Sequence, residues 1–312
     1  MKKAVVLLAV AAVVVFPVAG AFAKSWDGGG TDNYWNTAEN WDPDGVPTSS
    51  DSVSFSTDDV AELHGSAESS GFRMYRNSTL DVYTGAAYQQ YGSGEAHLCG
   101  GSGLPTGPWS VITQHGGTMN FSWHLRLGYH SISGTNTIQS RGRYIISGGT
   151  LTVSRAITVG VAYGSYPDDT CLGEFIVVGG DADRISASGL VVDDSTYDSD
   201  DNPGYSGPPL RSKLEFQFDG DDDPIQQIDI SGNVTLGGIL KITGSAPAGT
   251  YTILTYGGDL TLSDNFDAQL PAGWSIDYGT GSNSAITVTV PEPATLVLLG
   301  LGGCLVLLRR KK

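Results

Sequence analysis

Apolar and polar residues alternate in several short stretches between the two ends of the chain. The stretches 80–83, 151–153, 214–218 and 286–290 place an apolar residue at every second position. Successive side chains of a strand point to opposite faces, so this period of two predicts half-buried β-strands. No stretch between the ends shows the 3.6-residue spacing of an amphipathic helix. The pattern therefore predicts an all-β body.

A Gly-Gly-Thr sequence recurs and leads each time into an alternating strand. Residues 115–121 are echoed by 147–153, 32 residues later, and the apolar stretches 125–128 and 157–160 keep the same spacing. Such units predict a right-handed parallel β-helix, a solenoid whose turns bury a shared core. A small antiparallel β-sandwich module is expected to follow from about residue 210. The irregular period leaves a β-sandwich or jelly roll throughout as the alternative.

The first 23 residues have the three parts of a secretory signal. Lys2 and Lys3 precede an apolar run, 4–18, and a small-x-small cleavage site ends at Ala23. A signal peptidase is therefore the first predicted partner, cutting between Ala23 and Lys24.

The last residues predict a membrane-arrested tail. Pro291, Glu292 and Pro293 precede an apolar stretch, 294–308, which would form a helix about 22 Å long at about 1.5 Å per residue. Such a helix is shorter than the bilayer core of about 30 Å, so we expect a single short transmembrane helix. A basic cluster completes the tail: Arg309, Arg310, Lys311 and Lys312. Positive charge favours the cytoplasmic side, which leaves the body outside.

This order of parts resembles the PEP-CTERM sorting domain over about residues 290–312. The resemblance implies an exported protein of the planctomycete or proteobacterial type. It also implies a partner, an exosortase-type membrane protease that cuts near Pro-Glu-Pro and passes the protein to the envelope or extracellular matrix. A plain C-terminal membrane anchor is the alternative.

The opening of the body resembles that of exported proteins with autotransporter-associated β-repeats. The residues that carry this likeness are Trp26, Trp35, Trp41 and the strand-like stretch 51–55. Tryptophans beside turn glycines can cover the open end of a β stack, so a cap is expected. An aromatic platform for sugars is the alternative.

We divide the chain into five segments. A signal peptide, 1–23, precedes a Gly-rich β-repeat domain, 24–192, which starts with the Trp-rich cap. An acidic Pro/Gly linker, 193–213, leads to a C-terminal β module, 214–290, which resembles a recurring module of PEP-CTERM proteins. The sorting signal occupies 291–312.

The charge of the body restricts its partners. Between the signal and the tail there are 11 basic and 32 acidic residues, a formal charge of −21. Such a surface repels nucleic acid and anionic lipid headgroups, so neither is an expected partner. Divalent cations and basic partners are compatible with it.

One acidic turn is a candidate calcium site. Asp219, Asp221 and Asp223 crowd hard oxygen ligands of the kind that Ca²⁺ prefers. Pro224 and Ile230 stand where an EF-hand needs Gly and Glu, so that motif is excluded. A looser calcium site is the candidate and a solvated hairpin turn the alternative. No other cofactor is expected.

No catalytic residue is predicted. The chain has no Gly-x-Ser-x-Gly elbow and no His-Glu-x-x-His motif. Cys99 and Cys171 either pair or remain two buried thiols. The sequence therefore predicts a non-enzymatic structural or adhesive protein of the cell envelope or extracellular matrix. The alternative is a secreted β-helix protein that binds or degrades polysaccharide, with exopolysaccharide as its partner.

Overall fold

A computed structural model describes residues 23–56, 58–75, 77–99, 109–131, 140–160, 162–163, 171–179, 184–193, 196–197, 210–220 and 227–292. These residues form β-strands and one 3₁₀ turn, Ala38–Asn40. The prediction of an all-β body is confirmed.

The strands are numbered in chain order. They are β1 Ala23–Trp26, β2 Trp41–Asp42, β3 Ser52–Phe55, β4 Val60–Leu63, β5 Ser66–Ser69, β6 Gly71–Tyr75, β7 Thr79–Val82, β8 Ala87–Gln90, β9 Ala96–Cys99, β10 Ser110–Gln114, β11 Thr118–Phe121, β12 Leu125–Leu127, β13 His130–Ser131, β14 Ser140–Ile146 and β15 Thr150–Val159. They continue with β16 Ala162–Tyr163, β17 Cys171–Val178, β18 Ile185–Val192, β19 Thr196–Tyr197, β20 Leu210–Arg211, β21 Lys213–Asp219, β22 Ile228–Ile230, β23 Val234–Leu236, β24 Ile239–Ser245, β25 Gly249–Tyr256, β26 Leu260–Leu262, β27 Asp267–Gln269, β28 Ser275–Asp277 and β29 Ser284–Val290.

Two sheets contain most of these strands. The small sheet has eight strands in the order β27-β24-β21-β17-β14-β10-β7-β4, and the large sheet has 17. From β4 to β27 the chain alternates between the sheets. After each small-sheet strand it crosses the large sheet, as two short strands or as one long strand, and then returns. One small-sheet strand with the large-sheet strands that follow it is called a pass below.

Strands of successive passes pair in parallel. Thr118 pairs with Thr150 and Phe121 with Val153, so the two Gly-Gly-Thr units lie side by side in the register that the sequence repeat indicates. The next partner of β15 is β18, which begins at Ile185 and has no Gly-Gly-Thr before it. The same alternation of apolar and polar residues nevertheless directs its side chains into the core.

Parallel pairing continues on both sides of the predicted linker. In the small sheet β17 pairs with β21, and in the large sheet β18 pairs with β22 and β23. Within 214–290 the parallel pairs extend to β24–β27, while β29 is antiparallel to β25 and β28. The antiparallel part of this segment therefore consists of the hairpin β28–β29 and of β25, with which β29 pairs.

The tryptophans near the start of the body are buried. Trp35 and Trp41 have no exposed surface and Trp26 is 3% exposed. The rings of Trp35 and Trp41 have centroids 4.8 Å apart, and the Trp41 Nε1–H donates to the Trp35 carbonyl at 2.8 Å. Beside them Trp35 N–H donates to the Glu62 carbonyl, so this segment covers the edge of β4. Because the rings are buried, they are not a platform for sugars.

The two sheets approach each other closely at Gly142. A Cβ added to Gly142 in β14 would lie 2.3 Å from the Leu98 carbonyl oxygen and 2.4 Å from Gly128 N. Backbone atoms cannot move aside as a flexible side chain can, so the position requires the absence of a side chain.

A buried polar group links successive passes. Gln114 at the end of β10 is fully buried, and its Oε1 accepts from the Tyr144 hydroxyl at 2.7 Å. Its Nε2 donates to the Thr150 carbonyl at 3.1 Å and to the Gly117 carbonyl at 3.3 Å. Each of these partners would lose a hydrogen bond inside the protein without the amide.

The outer face of the small sheet holds a row of alternating charges. Glu215 is 3% exposed, and its carboxylate lies 2.6 Å from Lys213 Nζ and 3.5 Å from Lys241 Nζ. Lys213 also contacts Glu174 at 3.4 Å, and Glu174 accepts from Arg143 Nε at 2.5 Å. Parallel register places these residues on neighbouring strands, so the row joins four passes.

Within the part of the chain that the structure describes, no helix has the length and apolar character that crossing a bilayer requires. The helix predicted for 294–308 lies outside the described residues.

Candidate functional site

The sorting motif begins where the last strand ends. Val290 is the final residue of β29 and pairs with Gly249 of β25. Pro291 and Glu292 follow directly and are exposed. Pro293 and the basic cluster 309–312 lie outside the described residues.

The predicted signal-cleavage site lies at the start of the first strand. Ala23 and Lys24 pair with Ser52 and Val53 of β3. Lys24 is buried, and its Nζ donates to the Pro43 carbonyl at 2.7 Å. The cut proposed from the sequence would therefore leave Lys24 as the first residue of an ordered strand.

A second candidate site is a groove in the large sheet. It runs between the first and the second short strand of each pass, or across the middle of the one long strand. It follows the connections 122–124 and 231–233 and, within the long strands β15 and β18, residues 154–155 and 188–189. These segments lie on four successive passes, and the strand residues flanking them pair in register. Two depressions of about 640 and 470 Å³ adjoin here, and Ser188 lines both. We call the two together the corner groove.

Trp123 and Arg155 form one wall of the corner groove. The Arg155 guanidinium carbon lies 4.7 Å from the centre of the Trp123 ring. Arg155 is exposed and Trp123 half-buried. A guanidinium against an aromatic face is held by the ring's quadrupole and loses little freedom when it binds a ligand.

His124 lines the same wall in a defined tautomer. Its Nδ1 accepts the Ala156 N–H at 3.3 Å, so the neutral ring carries its proton on Nε2. Burial, followed by the nearby Arg126 guanidinium, lowers the pKa of His124 below its ordinary value. The imidazole is therefore a neutral donor at physiological pH.

Arg184 and Asp229 line the second depression. Arg184 Nε lies 3.3 Å from Asp229, and the arginine side chain is 71% exposed. Asp229 Oδ1 also accepts from Gln227 Nε2 at 2.7 Å and from the Thr255 hydroxyl at 2.8 Å. The carboxylate is thus already engaged, while most of the guanidinium faces solvent.

Asn233 completes the groove on the fourth pass. Its Oδ1 accepts the Asp259 N–H at 3.0 Å. This bond orients the amide and leaves the Nδ2 hydrogens as the donors of an exposed side chain.

The predicted calcium ligands are only partly described. Asp219 ends β21, while Asp221 and Asp223 lie outside the described residues. Among the described residues no group of three or more His, Cys, Asp or Glu side chains is placed to hold a metal ion.

The predicted thiols occupy different sheets. Cys99 ends β9 in the large sheet and Cys171 begins β17 in the small one, and no disulfide joins them. Burial raises the pKa of the Cys99 thiol to about 12. The thiol is therefore protonated and weakly reactive at neutral pH.

Sequence reasoning did not find the corner groove. Trp123 and Arg155 are separated by the same 32 residues as the Gly-Gly-Thr units. Extending that alignment beyond the apolar positions would have placed the two side chains on neighbouring passes. Arg184 lies before β18, where Gly179 and Gly180 are followed by Asp181 and not by Thr, so this looser relative of the repeat did not align it in the same way.

Comparison with known proteins identifies one part of the chain. Residues 289–312 match the family model of the PEP-CTERM protein-sorting motif. Neither the curated proteins nor the solved structures compared with the chain include a match. The motif indicates a PEP-CTERM protein, which is exported and which an exosortase directs to the cell surface.

Proposed function

We propose that the protein is a non-catalytic structural or adhesive component of the cell envelope or extracellular matrix. Signal peptidase removes residues 1–23, and the tail holds the chain in the membrane through the helix 294–308. An exosortase-type protease then cuts near Pro293 and releases the body to the surface. The folded body then serves as a rigid β scaffold whose surface makes contacts outside the cell.

The position of the sorting motif carries this proposal. Pro291 and Glu292 are exposed directly after β29, and β29 is held by strands on both sides, β25 and β28. A protease can therefore reach the motif while the body stays folded. Cleavage after β29 breaks none of the strand pairs that the structure describes.

We further propose that the body is a parallel β-solenoid. Two observations support the solenoid. The chain alternates regularly between two sheets, and each pass pairs in parallel with the one before. The charge row around Glu215 and the Gln114 amide join passes side by side, as a stacked scaffold requires.

The rival function, polysaccharide degradation, finds less support than polysaccharide binding. Glycoside hydrolysis uses two carboxyl groups facing the bond to be cut. Asp229 is the one carboxylate that lines the corner groove among the described residues, and its partners are Arg184, Gln227 and Thr255. Calcium at Asp219, Asp221 and Asp223 stays a prediction.

Fractionation of the native host tests the sorting proposal. We compare the wild-type protein with a variant in which Pro291, Glu292 and Pro293 are all replaced by Ala. The matched control is Pro271→Ala, in the loop before β28. We expect the wild type and the control at the surface or in the matrix, and the triple variant retained in the membrane. Equal release of all three would overturn the proposal.

A further inference from the structure

We infer that the corner groove binds a polysaccharide that carries carboxylate groups, a uronate-containing glycan. The inference rests on the proposed function only for its setting, because a surface-displayed body meets such polymers outside the cell. The shape of the groove, its hydrogen-bond donors and its local charge all favour such a ligand.

The shape suits an extended chain. The groove follows segments on four successive passes, and neighbouring strands lie about 4.8 Å apart, so it runs for about 14 Å. The two depressions are open and meet at Ser188, and the adjoining wall positions are the small residues Gly189 and Gly232. A linear polymer can lie along this path, with its ends leaving the groove in either direction.

The groove offers donors far more than acceptors. Arg155, Arg184, the Asn233 amide and the neutral His124 ring all donate hydrogen bonds. Hydroxyls of Ser186 and other serines along the floor can donate or accept. A glycan with carboxylates supplies the acceptors that this donor set needs.

The two arginines give the groove a local charge opposite to that of the body. Several other described cations are engaged in ion pairs away from the groove: Lys213 and Lys241 contact Glu215, and Arg143 contacts Glu174. Arg155 lies against an aromatic ring, and Arg184, although its Nε lies 3.3 Å from Asp229, keeps 71% of its side chain exposed. Charge-assisted bonds from a guanidinium to a carboxylate are short and strong.

The net charge of −21 on the body also repels an anionic ligand, but this repulsion comes from more distant groups and is weaker at the groove. The Debye length at physiological ionic strength is about 8 Å, so remote carboxylates are largely screened from a ligand held there. Their repulsion still disfavours polymers as densely charged as nucleic acid. The groove therefore favours a moderately charged polymer that enters along one line.

Trp123 contributes apolar surface and order. The indole positions the Arg155 guanidinium and gives the hydrocarbon faces of sugar rings a partner at the wall. Loss of the ring would therefore weaken both contacts at once.

Isothermal titration of the full-length chain in mild detergent tests the inference. The probes are a hexamer of galacturonate and maltohexaose, a neutral hexasaccharide. The variants are Arg155→Gln, Arg184→Gln and Trp123→Ala. The controls are Arg73→Gln and Tyr75→Ala, exposed residues of β6 outside the groove. Circular dichroism melting of every variant verifies the fold.

We expect the wild type to bind the galacturonate hexamer at least tenfold more tightly than maltohexaose. Each groove variant should lose at least fivefold in affinity with an unchanged melting curve, and both controls should bind as the wild type does. No binding of galacturonate by the wild type, equal binding of the two probes, or equal losses in the controls would each overturn the inference. Correct sorting with any of these results would leave the proposed function standing.

Discussion

The charge row on the small sheet gives the sharpest test of how successive passes are held together. We predict that Glu215→Gln destabilises the protein strongly, although glutamine has nearly the same shape. Glu215 is 3% exposed, contacts Lys213 at 2.6 Å and Lys241 at 3.5 Å, and accepts from Gln217 at 3.0 Å. The substitution removes the negative charge with which two half-buried lysines pair.

The contacts set the magnitude. Hydrogen bonds to charged groups contribute about 1.5–3 kcal/mol each, and Lys213 keeps part of its stabilisation through Glu174, so the expected loss is about 2–4 kcal/mol. The matched control is Glu62→Gln. Its partner, His64, lies 2.8 Å away, but the two side chains are 30% and 44% exposed. An exposed pair of this kind contributes about 0–1 kcal/mol.

Urea unfolding followed by tryptophan fluorescence measures both variants at pH 7. The free energy of unfolding should fall by about 2–4 kcal/mol in Glu215→Gln and by less than about 1 kcal/mol in Glu62→Gln. If the two variants agree within about 0.5 kcal/mol, burial does not strengthen these contacts and the reasoning is refuted.

Three further predictions concern the same scaffold. Burial alone would raise the pKa of Glu215, but its lysine and glutamine partners lower it below the ordinary value of 4.5. The stabilisation by this carboxylate is therefore complete above pH 4.5 and is lost as the pH falls through the depressed pKa, so the stabilities of wild type and Glu215→Gln should converge in acid. A constant difference between their free energies of unfolding in urea from pH 7 to pH 3 would contradict this. Gln114→Leu should cost about 2–4 kcal/mol because the buried Tyr144 hydroxyl and the Thr150 carbonyl each lose their bond to the amide, while the Gly117 carbonyl keeps the Thr150 N–H. A double-mutant cycle with Tyr144→Phe should show less than additive loss; strict additivity would show that the two side chains are not coupled. Gly142→Ala should prevent folding or lower the melting temperature sharply, since its Cβ would meet the backbone of Leu98 and Gly128 at the facing large sheet. Gly71→Ala, with its nearest contact at 3.6 Å, should melt within a few degrees of wild type. Similar melting of both variants would refute the close approach of the sheets.

Local pattern was enough to predict strand content and part of the pairing. The alternation at 151–153 and 286–290 lies within β15 and β29. The Gly-Gly-Thr echo has the same 32-residue spacing as the register of β11 on β15, because both units place the same turn before the same strand. These features depend on residues close in sequence, which is where periodicity is informative.

Pairing across long insertions could not be read from the sequence. Partners in parallel pairs are as near in sequence as Val53 and Phe72 and as far apart as Leu190 and Val234. An acidic stretch between β18 and β21 reads as a linker, yet the strands beyond it join the same two sheets. Composition characterises the residues between the strands, while hydrogen bonding between distant strands decides where the chain returns.

Only part of the candidate site could be predicted, because local sequence does not show which distant residues come together. The tail motif is contiguous in sequence, so its residues could be recognised together and the family match confirms it. The corner groove is made of single residues from four passes, such as Trp123, Arg155 and Asn233. Only the register of the strands brings them together.

Intact mass of the protein recovered from its native host, fraction by fraction, tests the central claim most directly. The account predicts a surface or matrix species that begins at Lys24 and ends within 291–293, with β29 intact. A membrane-bound species that keeps the basic cluster 309–312, with no shorter form outside, would contradict sorting and release and make this a C-terminally anchored surface protein.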